Sequence, residues 1–171
     1  MTLLKKFWLH ILISSILIGV ACSLFFYFTF RPGLIRPDVR MFDFWIPTVA
    51  TFFMLIYFRS FREKTSPFHF WEGLIVGNLM FWLGGISSGF SIYLMADWQP
   101  IPFEHFRDSC IKYIEVNMKE APELQKMEKP ELLIRDFREM KPSVMIWEEA
   151  KLKFKYSIIL VPLISVFLRR K

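Results

Sequence analysis

Four stretches of this chain are apolar over lengths that suit helices crossing a bilayer, and a polar stretch separates the third from the fourth. Residues 7–30 carry no formal charge. A hydrocarbon core about 30 Å thick takes about 20 helical residues, so a span over 7–29 is predicted. A second span is predicted over 41–58, where Asp43 near the start is the one charge. The third, over 68–94, amounts to about 40 Å of continuous helix, so it tilts or projects beyond the core. The fourth is strongly apolar only over 156–168. It becomes a full span, 150–168, by extending back through Lys151, Lys153 and Lys155, which are read as snorkelling towards head groups. The predicted fold is all-α: an integral membrane four-helix bundle forming a single membrane domain over 1–171.

The polar stretch, 95–149, predicts an extracytoplasmic amphipathic helical insert between the third and fourth spans. Phe103, Phe106, Cys110, Ile114 and Met118 recur at helical spacing with charges between them. Asp108–Lys112 and Glu115–Lys119 are acid-before-base pairs four apart, which support a helix. Ala121-Pro122 and Lys129-Pro130 interrupt it. A second short helix follows from about 131 to 141, with Leu133, Phe137 and Met140 on its apolar side, and Pro142-Ser143 leads into the last helix. Short helices bury their stripes somewhere, so these pack on one another and on the bundle. The alternative is a cap that docks a partner or lies on the outer leaflet.

Charge orients the arrangement. Lys5, Lys6, Arg59, Arg62, Lys64, Arg169, Arg170 and Lys171 sit in the short segments of one side, against the single acid Glu63. By the positive-inside rule both termini are cytoplasmic and the insert lies outside. Phe7, Trp8, Tyr57, Phe58, Trp71 and Phe167 form an inner aromatic belt, and Tyr27, Trp45, Tyr93, Trp98, Trp147 and Tyr156 an outer one. Lys5 and Lys6 ahead of an apolar run also fit a signal peptide. That run is longer than a signal core and lacks a cleavage box, so an uncleaved anchor is expected.

Composition sharpens this picture. Hydrophobic residues make up 54% of 171 residues, with 20 Phe and 6 Trp, more apolar surface than a water-soluble domain of this size hides. The net charge of +6 then reads as a topology signal rather than a nucleic-acid footprint. Two Cys exclude a disulfide framework or a multi-cysteine zinc site, and the chain has no glycine motif for a nucleotide. No cofactor, metal or catalytic residue is expected.

Helices in lipid associate through close packing of small residues. Gly73, Gly77, Gly84, Ser88 and Ser91 fall within about 60° on the third span, and Ser15, Gly19 and Ser23 repeat every four residues on the first. These two faces are expected to meet. Gly85, Gly89 and Asn78 form a second stripe on the third span, open to the second span, the fourth, or another protein. Ionisable or polar groups within a membrane are candidates for function. His69 and Glu72 stand three apart near the inner interface, and Glu72 aligns with Val76, Leu79, Leu83, Ile86 and Phe90, read as a lipid-facing side. Asn78, near mid-membrane, is expected to form an interhelical hydrogen bond. His10 is expected to reach head groups or a local partner. In the insert, Glu104 and Asp108 share one helical face beside His105 and Cys110, as an acid–base pair would, but a solvated face accounts for them.

Three features carry a resemblance: the junction IYFRSFREKTSPFHFWEGLIVGN (56–78), the Glu/Met-rich insert at 104–141, and the ending SIILVPLISVFLRRK (157–171). With them the chain resembles an uncharacterised family of four-helix inner-membrane proteins of Bacteroidota, a domain of unknown function. The resemblance implies no reaction, ligand or site residue; it implies an envelope context near polyprenyl-linked sugar transfer. The expectation is a non-enzymatic protein of the bacterial inner membrane, multi-pass, acting as an accessory or scaffold subunit whose outer cap contacts another envelope component. Its partners would be the lipid bilayer and a membrane or envelope protein or a second copy of itself, with no nucleic acid. The alternative is a small transporter or lipid-handling protein using Asn78, Glu72 and His69.

Overall fold

The computed structural model describes residues 2–31, 42–62, 69–120 and 130–168. All regular structure in them is helical: α1 (Thr2–Thr29), α2 (Trp45–Arg62), α3 (Phe70–Trp98), α4 (Ile101–Glu120), α5 (Pro130–Arg138) and α6 (Met145–Leu168). The breaks at 121–122 and at Lys129, the loop at 32–41, the junction residues 63–68 and the basic tail 169–171 lie outside the described residues.

The helix boundaries have local causes. A single 3₁₀ turn at 42–44 leads into α2. Pro47 lies in the first turn of α2, where a missing N–H costs no helical hydrogen bond. At the start of α3, the Glu72 carboxylate accepts the backbone N–H of His69 at 3.1 Å, closing a reciprocal cap. The end of α3 is set by Gln99, whose extended backbone (φ −138°, ψ 90°) suits a residue preceding proline. Pro142 then opens a 3₁₀ turn that runs directly into α6. So α6 starts at Met145, five residues ahead of the expected span boundary. Pro162 lies inside α6 and leaves it a single helix.

The elements form a helical bundle organised around α3. Its most extensive contacts are with α6 and α1, and α2 lies against α3, α6 and α1. Glycines set the approach. A Cβ on Gly84 would stand 2.8 Å from Ile18 Cγ2, and one on Gly85 2.8 Å from Ala150 Cα. Gly19 abuts Ser87, and Gly89 abuts the α6 backbone at Ile146. Any larger residue at these four positions pushes the helices apart.

The bundle has two cores. One joins Phe7, Ile11, Ile18, Leu55, Phe58, Met80 and Leu168 among α1, α2, α3 and α6. The other seats α4 on the ends of α1 and α3: Phe103 and Phe106 are buried with Phe26, Phe30, Ile92 and Met145. The Phe106 ring meets Phe26 at 5.4 Å and Phe30 at 5.1 Å between centroids, both edge-on. Tyr27 donates to Gln99 Oε1 at 2.7 Å, tying α1 to the α3–α4 corner. Of the insert's first apolar stripe, Phe103 and Phe106 are therefore packed on the bundle, and Cys110 and Ile114 are half-buried.

The outer surface of the bundle is apolar. Leu9, Ile16, Leu17 and Phe28 of α1, Val49 and Phe53 of α2, Ile75 and Phe90 of α3, and Ile158, Ile159, Leu163 and Phe167 of α6 are all exposed. Two stretches, Phe7–Thr29 and Phe70–Trp98, are long and apolar enough to cross a membrane. Of the segments expected as further spans, 41–58 and 150–168, residues 45–58 lie in α2 and 150–168 in α6; neither helix is both long and apolar enough to match those two.

Candidate functional site

Three charged residues of the bundle are turned inwards. Lys153 in mid-α6, Glu149 one turn before it, and Asp43 in the turn ahead of α2 are 0%, 1% and 4% exposed. The Lys153 ammonium donates to Asp43 Oδ2 in a direct ion pair and to Glu149 Oε2 at 3.1 Å. Ser88 of α3 donates to the same Glu149 oxygen at 3.3 Å. From α1, the Cys22 thiol stands 4.0 Å from the Asp43 backbone oxygen. Three helices, α1, α3 and α6, and the turn ahead of α2 thus converge on two carboxylates and one ammonium. Burying such a triad is costly, and the removal of one partner strands a buried charge at about 3–5 kcal/mol.

The expectation that Lys153 snorkels is overturned. Lys151, two positions earlier, does keep its ammonium in the open: its side chain is 64% exposed, 2.9 Å from Glu148. The difference is helical phase. Glu149, Lys153, Ser157, Val161 and Ser165 recur every four residues on the buried face of α6, while Ile158, Ile159, Leu163 and Phe167 take the exposed face. That periodicity is in the sequence, as is the isolated acid Asp43, and together they signal an inward polar stripe.

The stripe continues below the triad. The Ser157 hydroxyl lies 2.7 Å from Asn78 Oδ1 and 2.7 Å from the Phe154 carbonyl, and Asn78 Nδ2 donates to the Leu74 carbonyl at 2.7 Å. Thr51 is fully buried, its methyl 3.4 Å from the position a Cβ on Gly77 would take, with Val161 beside it. The hydroxyls of Thr51 and Ser165 have no hydrogen-bond partner among the described residues. From Glu149 to Ser165 the stripe covers about 24 Å along the helix axis.

The residues singled out from sequence fall into separate places. Asn78 joins this stripe. His69 and Glu72 form the N-terminal cap of α3 and are away from the triad along that helix. Val76, read as lipid-facing with Glu72, is buried in the bundle core, whereas Phe90 on the same line is exposed. Ser15, Gly19, Ser23, Gly73, Gly77 and Gly84 lie within α1 and α3. Gly19 and Gly84 lie in the α1–α3 contact, Gly77 faces α6, Gly73 is buried, and the Ser15 and Ser23 hydroxyls donate to the Ile11 and Val20 carbonyls. Gly85 and Gly89 of the second stripe face α6. His10 is exposed, its ring 5.8 Å from that of Tyr57. In α4, Glu104 and Asp108 are exposed, and His105 Nδ1 lies 3.2 Å from the Phe30 carbonyl. No disulfide joins Cys22 and Cys110. No group of three or more His, Cys, Asp or Glu suited to a metal forms among the described residues.

A cleft of about 580 Å³ opens between α4, α5 and the start of α6. Phe106, Cys110, Phe137, Met140 and Leu152 wall it, with Asp136, Glu139 and Glu148 at its edge.

The family model described as "Protein of unknown function (DUF4199)" matches residues 13–170. The chain belongs to this family. The match takes in α1 from residue 13 onwards, the other five helices and the whole of the DUF4199 triad, from Asp43 to Lys153. No curated protein matches the chain. No solved structure matches it.

Proposed function

We propose that this DUF4199 protein is a multi-pass protein of the bacterial inner membrane that binds and passes a small cation inside its bundle. In this reading α1, α2, α3 and α6 cross the bilayer, α4 and α5 form an extracytoplasmic cap, and both termini are cytoplasmic. The apolar exterior of those four helices supports the bilayer as their surroundings. The observation that carries the function is the sealed Asp43–Lys153–Glu149 triad. An ionisable group in a membrane interior is costly and marks ion or proton pathways, and this one continues into a polar stripe through Ser157 and Asn78. No bond-making chemistry is assigned to it, so the protein is proposed as non-enzymatic.

Flux tests this reading. The purified full chain in sealed vesicles, under an imposed membrane potential, is expected to carry cations faster than empty vesicles. Asn78→Ala and Ser157→Ala are expected to slow that transfer while His69→Ala leaves it unchanged. Flux equal to that of empty vesicles overturns the proposal.

A second reading keeps the accessory role, favoured by the cleft of about 580 Å³ in the cap. Its apolar walls and acidic edge suit another envelope component or a second copy of the chain. Cross-linking in native membranes from Glu139→Cys tests it: a reproducible adduct supports an accessory subunit, and recovery as a lone monomer contradicts it.

A further inference from the structure

The charges that line the cap's cleft are of one sign. Its walls are apolar: Phe106 of α4, Phe137 of α5, Met140 just after it, and Met145 and Leu152 of α6. Its charged lining is Asp136, Glu139 and Glu148, with no lysine, arginine or histidine among the described residues. Glu148 is paired with Lys151 at 2.9 Å. Asp136 and Glu139 are exposed, and neither has an ion pair among the described residues. The bases of α4 and α5 turn elsewhere: Arg107, Lys112 and Arg138 line a neighbouring hollow of about 570 Å³, together with Asp108 and Glu115. Sequence alone mixes these charges along α4 and α5; the fold sorts them, leaving one apolar cleft with an acidic edge.

We propose that this cleft binds a small lipophilic cation, an apolar organic body carrying a single ammonium or phosphonium charge. The volume of about 580 Å³ falls within the range of about 300–1,000 Å³ for small-molecule pockets. The body of such a molecule lies against Phe106, Phe137 and Leu152, and its charge faces Asp136 and Glu139. Met140 and Met145 are unbranched and polarisable, so the wall adapts to bodies of different shape. Removal of the apolar body from water drives the binding, and the carboxylates select its sign. A fatty acid or anionic lipid would set its head group against two like charges with no base to offset them, which rejects it. A neutral amphiphile gains the burial without the attraction. This site belongs to the cap and does not depend on the passage of cations through the bundle.

Equilibrium dialysis of the full chain in a non-ionic detergent, with empty micelles as the blank, tests it. The probes are tetraphenylphosphonium and tetraphenylborate, which share shape and apolar surface and differ in the sign of their charge. The phosphonium is expected to bind saturably, one per chain, and the borate is not. Asp136→Asn and Glu139→Gln are each expected to weaken phosphonium binding about two- to fivefold, and more at low salt. Glu115→Gln, in the neighbouring hollow, is expected to leave it unchanged. Asp136→Asn combined with Glu139→Lys is expected to reverse the preference, and a gain of borate binding cannot come from misfolding. Equal saturable binding of the two ions, or phosphonium binding that the combined variant leaves intact, overturns the proposal. Absence of saturable phosphonium binding also overturns it; sedimentation of the same samples then assigns the cleft to a second copy if the chain is a dimer that the combined variant dissociates. Flux failing while the phosphonium binds would refute passage through the bundle and leave the cleft assignment standing; flux without phosphonium binding would do the reverse.

Discussion

The bundle and the cap of this protein are built with opposite polarity. In the bundle, apolar side chains such as Leu17, Phe53 and Ile159 are exposed, while Lys153, Glu149 and Asp43 are sealed within. In the cap, Phe103 and Phe106 are buried, and Glu104, Asp108, Lys112 and Glu115 are exposed. The cap has the arrangement that water imposes, with apolar surface removed from solvent. The bundle has the reverse, apolar side chains outwards, which an apolar surrounding favours. One chain thus carries two opposite residue patterns, and the change of pattern falls at the α3–α4 corner around Gln99.

The sharpest way to break that comparison is to remove the inward charge that two others depend on. Lys153→Met leaves Asp43 and Glu149 facing each other in the interior. Stability in detergent should fall by about 3–5 kcal/mol, read as a lower unfolding temperature. Adding Asp43→Asn and Glu149→Gln should restore much of the loss, because the triple variant removes all three charges of the triad. A near-native unfolding temperature for Lys153→Met alone would show that the triad is solvated.

The cap should respond to the opposite kind of change. Phe106→Ala empties the site between Phe26 and Phe30, and Phe→Ala losses in packed cores run to about 3–5 kcal/mol. Here the loss is expected at the lower end and local, with α4 amides losing hydrogen-exchange protection while those of α1 and α3 keep theirs. Equal loss in all three helices would mean that bundle and cap unfold as one. Smaller still is Gly89→Ala, whose new Cβ meets the α6 backbone at Ile146 and forces a shift costing about 1–3 kcal/mol. Lys151→Ala sits at the bottom of the scale. It removes an exposed pair with Glu148, and under about 1 kcal/mol of change is expected. The gap between Lys151 and Lys153, the same residue two positions apart, measures how far the two faces of α6 differ.

Much of the fold is legible from local pattern because its causes are local. Continuous apolar runs lie within α1, α2, α3 and α6, and the 103–110 spacing marks the cap's buried face. Proline positions place the α3–α4 corner and the start of α6. The site is less legible because it is assembled from distant parts. Lys153 lies within the short series Lys151, Lys153, Lys155, and average polarity treats the three alike; only helical phase separates the middle one. Its partner Asp43 comes from the other end of the chain, and Ser88 lies in a stripe that reads first as a packing face. Asn78 is the exception: its depth in a long apolar helix marks it from sequence, and it meets Ser157. The three-residue spacing of His69 and Glu72 suits a site and a helix cap alike, and here it makes a cap.

Opposite polarity of the two regions is most directly tested by the side chains that each turns outwards. In a Cys110→Ser background with Cys22 left buried, single cysteines at Lys112 in the cap and Ile159 in the bundle can be probed in intact cells and after lysis. A membrane-impermeant maleimide should label Lys112→Cys from outside in intact cells. It should fail to label Ile159→Cys before or after lysis, while a lipid-soluble reagent reaches it. Labelling of Ile159→Cys by the water-soluble reagent would contradict a bundle that faces lipid.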